Sequence, residues 1–165
     1  MIIDFTVVQE DSNGIKVNVK LADGVEYVVG TAVVSVTQGN AVTVAETNVS
    51  NPNEPVFTVK SADGNNVVEL GTIVKLTIKR RAVCTAWSNA INAAETGFVF
   101  KDKVTVTIGD HSDSKESNSY SVNYPNLTIK QPAPQVNKQI GETIVREFSI
   151  TNGSQNPNQT VYLSI

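Results

Sequence analysis

Histidine and cysteine are almost missing from this chain of 165 residues, which has one of each, His111 and Cys84. A single cysteine excludes an internal disulfide, and a chain of this length can bury a core without one. A single histidine excludes a metal centre built on several imidazoles. Any Ser-His-Asp or Cys-His arrangement would have to use His111. It stands in "GDHSDSKESNS", a polar stretch with nothing apolar to keep water from a reaction. The chain therefore reads as non-enzymatic, with no cofactor. Charge is also sparse, at 18% of residues, with a net charge of −3 and a pI near 5.1. The basic run Lys79-Arg80-Arg81 is too short for a nucleic-acid patch and reads as a solvated strand face. No apolar run approaches the roughly 20 residues that cross a bilayer, so direct membrane insertion is not expected. The opening "MIIDFTVV" has no basic stretch of the signal-peptide kind and enters an alternating pattern at once.

Aromatic residues make up only 6%. A glycan-binding face usually needs an exposed aromatic row. Tyr120 and Tyr124, on the same side of a strand by their spacing, are the one pair that could form a small ligand platform. Core or edge packing is the competing role for both. Calcium has a better case than catalysis. Asp110, Asp113 and Glu116 lie close together in what reads as a loop, and Ca²⁺ takes six to eight oxygens. Their spacing is not that of an EF-hand, and a solvated loop is the plain alternative.

What the chain has in quantity is period-two alternation. In "GIKVNVKLAD", Ile15, Val17, Val19 and Leu21 share one face, against Lys16, Asn18 and Lys20 on the other. Val74, Leu76, Ile78, Ala82 and Cys84 share a face in "TIVKLTIKRRAVC". Phe98, Phe100, Val104, Val106 and Ile108 do so in "FVFKDKVTVTI". Each such strand has one dry and one wet side, and dry sides bury against one another. Turn signals separate the runs: "DSNG" (11–14), "ADG" (22–24), "QGN" (38–40), "NPNEP" (51–55), "ADGNN" (62–66) and "NGSQNPN" (152–158). One stretch, "AWSNAINAAETG", is alanine-rich and predicts a short helix near 88–96, with Ser88 as N-cap and Gly97 as stop. Trp87 is expected to plug one end of the core. From 124 to 142 the chain becomes proline-rich, and Pro125, Pro132 and Pro134 exclude a central strand there. Alternation then resumes in "TIVREFSIT" and "QTVYLSI". The segments 4–21 and 147–165 echo one another, each with a strand opening at a Phe, a polar turn and a second strand.

The stretches "LADGVEYVVGT" (21–31), "LGTIVKLTIK" (70–79), "FKDKVTVTIGDHSDSKESNSYSV" (100–122) and "ITNGSQNPNQTVYL" (150–163) resemble the DUF11 and CARDB repeats, immunoglobulin-like modules of large bacterial surface proteins. "PNLTIKQ" (125–131) resembles the lead strand of a following repeat. "LADGV" lacks the proline of the family's turn. The resemblance implies an all-β fold, an immunoglobulin-like β-sandwich of Greek-key type. It implies one repeat over 1–124, which starts after its own lead strand, and the beginning of another over 125–165. It further implies an extracellular stalk or display module, partnered by neighbouring repeats of the same polypeptide and by surface glycans or proteins. The rival readings are a carbohydrate-binding module of a secreted enzyme and a structural domain of a phage tail or fibre. Asn48, Asn126, Asn152 and Asn158 each head an Asn-x-Ser/Thr triplet, which carries no meaning in a bacterial source.

Overall fold

Each alternating segment has one apolar face to hide, and the strands pair so that these faces meet. The computed structural model describes residues 1–93, 97–122, 127–130, 139–142 and 149–152. The chain divides into two compact units, Met1–Val122 and Asn123–Ile165. In the first, the strands are β1 (Ile2–Thr6), β2 (Ile15–Lys20), β3 (Val25–Tyr27), β4 (Val33–Gln38), β5 (Val42–Asn48), β6 (Val56–Ser61), β7 (Ile73–Thr77), β8 (Arg80–Ala82), β9 (Lys103–Ile108) and β10 (His111–Glu116). A helix, α1 (Cys84–Ile91), lies between β8 and β9. The second unit contains β11 (Leu127–Lys130) and β12 (Ser149–Asn152), which form an antiparallel ribbon.

The first unit is an all-β sandwich. A three-stranded sheet in the order β1-β7-β4 faces a five-stranded sheet in the order β10-β9-β2-β6-β5, and β3 and β8 make a small separate ribbon. Every ladder is antiparallel. Among the described residues of this unit only β5–β6 and β9–β10 are consecutive strands paired within one sheet; the other connections pass between sheets. Most of the faces that alternation marks as dry are core, but Ala82, Phe98, Val104 and Val106 are only half-buried, and Cys84 opens the helix instead of continuing a strand face, because the chain leaves β7 at Thr77 and joins a different ribbon as β8. Ile15, Val17, Val19 and Leu21 are exposed by no more than 2%, as are Val74, Leu76 and Ile78. Val17 sits between Phe57 of β6 and Val106 of β9 in the ladder, at the centre of the larger sheet. Burying each such side chain is worth about 1.5–3 kcal/mol relative to leaving it in water.

Polar side chains tie down the connections that cross between layers. The Asn53 side-chain amide, in "NPNEP", donates to the carbonyls of Leu21, Ala22 and Val25 at 3.0–3.1 Å, while its backbone carbonyl accepts from Leu21 N–H. The turn thus straps the β2–β3 connection. Tyr27 is buried against Phe57, ring edge to ring face at 5.1 Å. Its hydroxyl donates to Glu46 of β5 at 2.5 Å and accepts from the N–H groups of Thr31 and Ala32. Glu46 also accepts from Gly30 N–H. The tract "LADGVEYVVGT" therefore holds a core aromatic and the acceptor for its own following turn.

The helix differs from its expected position. It begins at Cys84, Val83 is its N-cap without a side-chain cap bond, and Ser88 lies inside it. Ser88 does not cap because the chain already turns helical as it leaves β8, where Val83 N–H bonds Gly24 O. This contact seats Ala86, fully buried, against Gly24. The helix ends at Ile91 with Asn92 as its C-cap, five residues before Gly97, so Gly97, at φ +67°, is not the stop of this helix. The side chains of Trp87 and Cys84 lie outside the described residues, as do residues 153–165 with the second half of the internal echo.

Gly24 and Gly30 share φ +79°, yet a Cβ on Gly24 would fall 2.7 Å from Ala86 Cα, whereas a Cβ on Gly30 meets nothing. Gly24→Ala is expected to cost about 2 kcal/mol or more in urea unfolding, and Gly30→Ala about 1 kcal/mol. Equal losses would mean that contact with the helix does not set the requirement at Gly24. Burial, reinforced by Glu46, raises the Tyr27 pKa. The neutral phenol is the form the fold favours. Its stabilisation is whole below the unfolded value of about 10 and fades as pH climbs through the folded one. Stability measured from pH 8 to 11 should fall less steeply in Tyr27→Phe than in the parent chain.

Candidate functional site

At one end of the sandwich the two sheets do not match. The three-stranded sheet ends at β1, the five-stranded sheet at β10, and each of these strands pairs on one side only. Between them lies an open groove of 580 Å³. Its apolar side comes from Ile3 and Phe5 of β1 and from Val104, Val106 and Ile108 of β9. Ile108 is buried, but Val104 and Val106 are only half-buried, because no strand of the smaller sheet fully covers them. The ladder pairs Ile108 with His111, Val106 with Asp113 and Val104 with Lys115, so these three polar residues continue the same face and line the groove.

Strand β10 corrects the expectation of a loop. "HSDSKE" has no apolar alternation, since all six residues are exposed and neither side has a core to meet. It is a strand because β9 offers a backbone edge and because hydroxyls pair across the outer face, Thr105 with Ser114 and Thr107 with Ser112. Asp110 lies in the turn before it. Asp113 and Glu116 lie on the strand at odd spacing, so they point to opposite faces. Glu116 is 3.7 Å from Lys101. Among the described residues no three His, Cys, Asp or Glu side chains come together as a metal would need.

The base of the β9–β10 hairpin is held by Asp102, 1% exposed. Its carboxylate accepts from Ala22 N–H at 3.0 Å and from the Tyr120 hydroxyl at 2.7 Å, and pairs with the Arg80 guanidinium. The Asp102 backbone exchanges bonds with Ser117, its N–H donating to the Ser117 hydroxyl and its carbonyl accepting Ser117 N–H. Arg80 lies 4.0 Å over the ring of Tyr120, which stands beside Phe100. One face of the Tyr120 ring is thus covered by a cation of the same chain. Tyr124 lies outside the described residues. The run Lys79-Arg80-Arg81 divides by period two. Arg81 is exposed and pairs with Glu26, as a solvated face does, but Arg80 turns inward, which corrects the expectation for that residue. Asp102 carried no signal in the sequence, because it stands between two lysines in a segment that otherwise reads as wet.

The groove combines an apolar side, a charged side and two backbone edges with unused hydrogen-bonding capacity. Such features can hold an extended segment of chain. Asp102→Ala removes the acceptor for two donors and leaves Arg80 partly buried without its counter-charge. Denaturant unfolding is expected to show a loss of about 3 kcal/mol or more, with Tyr120→Phe costing about 1 kcal/mol. A loss at Asp102 no larger than at Tyr120 would show that the ion pair does not anchor the hairpin.

No protein-family model matches the chain, and no curated protein matches it.

Proposed function

We propose that this chain is a non-catalytic structural module of a bacterial cell-surface or secreted protein, an immunoglobulin-like repeat that acts as stalk or display element. The observation that carries the reading is two compact β units in series, with a segment rich in proline by sequence at the start of the second. Proline stiffens a connection and cannot join a central strand, so such a segment separates modules rather than merging them. The resemblance to DUF11 and CARDB repeats points the same way. So does the use of the polar groups taken from solvent: Asp102, Tyr27 and Asn53 all fasten connections. In this reading the partners along the polypeptide are further modules of the same kind, and any glycan or protein ligand is met by the surface that the array presents.

Protease shaving of intact source cells, with mass spectrometry of the released peptides, tests this reading. Peptides from 1–122 are expected in the shaved fraction. Their recovery only after lysis would exclude the surface assignment.

A further inference from the structure

We propose that the open edge of β10 pairs with the β10 of a second copy of this chain, antiparallel across a two-fold axis at Ser114. The inference is independent of where the protein resides. It begins from which backbone groups face outward. Ser117 N–H donates to Asp102 O, which continues the β9–β10 register by one pair. Counting back in steps of two, Lys115, Asp113 and His111 direct their backbone groups toward β9. The alternate residues, Glu116, Ser114 and Ser112, direct theirs to the open edge. The Ser114 N–H agrees: it donates to the Asp113 carboxylate, at 2.9 Å.

A second β10 can therefore join only through its even-numbered residues, in registers that differ by two. Charge selects among them. With Ser114 opposite Ser114 of the second copy, Asp113 of each chain faces Lys115 of the other, twice by symmetry. These are non-hydrogen-bonded pairs, whose side chains approach more closely. Shifted by two residues one way, Asp113 meets its own copy, and His111 meets Lys115. Shifted the other way, Lys115 meets its own copy. One register joins opposite charges and its neighbours join like ones. All six residues of β10 are exposed, so both members of each pair are available. Among the described residues Lys115 has no ion-pair partner, and Asp113 is engaged only by the adjacent N–H. The outer face brings together Ser114 with its copy and Ser112 with Glu116, small enough to approach. The two five-stranded sheets become one continuous sheet, and the contact is isologous, so it closes at two copies.

Sedimentation velocity on the full chain, from micromolar to about 1 mM, tests this. A monomer–dimer equilibrium is expected. Asp113→Lys and Lys115→Asp, each alone, place like charges at both contacts and should weaken dimerisation at least about tenfold. An equimolar mixture of the two variants should form a heterodimer, because each then faces opposite charge. Ser114→Pro removes a donor from the outer edge without taking one from the β9 ladder, and should also leave monomer. Thermal unfolding of each variant shows that the fold is intact. A chain monomeric throughout the range, a dimer indifferent to charge reversal, or variants that fail to associate when mixed would overturn the proposal.

Discussion

One buried carboxylate organises the end of the sandwich that carries its open edges. Asp102 reaches the β2–β3 connection through Ala22, β8 through Arg80, and the chain beyond β10 through Tyr120 and Ser117. Removing a carboxylate from water is costly, and the cost is offset only where its partners are complete. Here a guanidinium, a backbone N–H and a phenol converge on it, so a hairpin displaced from this position would strand a charge. The pair contributes less through net attraction than by leaving one acceptable arrangement of the segments around it. The overhang of β10 beyond the smaller sheet follows from that position.

Elsewhere the same work is done by neutral groups. Asn53 and Tyr27 each satisfy several backbone groups on a connection that passes between layers, where no ladder is available to do so. A sandwich whose strands mostly cross from sheet to sheet needs such straps. A tight hairpin does not, and the β9–β10 turn has only Gly109, at φ +53°, seated near Gln9 and Asp11. The consequence for function is a first unit whose polar interior groups are engaged in holding shape. Its open edges, β1 and β10, are where another chain could add to it.

The strands with one apolar face were legible because side chains alternate strictly across a pleat. Ile15, Val17, Val19 and Leu21, and likewise Val74, Leu76 and Ile78, needed no tertiary information to be assigned to the core. Turns at "DSNG" and "ADG" were legible because positive φ favours glycine. Strand β10 was not, because an edge strand wet on both faces has no hydrophobic period, and "HSDSKE" carries the composition of a loop. The groove was not legible either. It exists because one sheet ends a strand earlier than the other, and no local segment records how two sheets overlap.

The sequence by itself determined the all-β class, the dry faces of the main strands and the change of character near 124, since each follows from local alternation and from the geometry of proline and glycine. The tertiary structure alone decided that Arg80 turns inward while Arg81 stays wet, that Asp102 meets it from a distant segment, and that β1 and β10 end their sheets unpaired. These depend on which segments become neighbours in space, and that is settled by the packing of all the dry faces together.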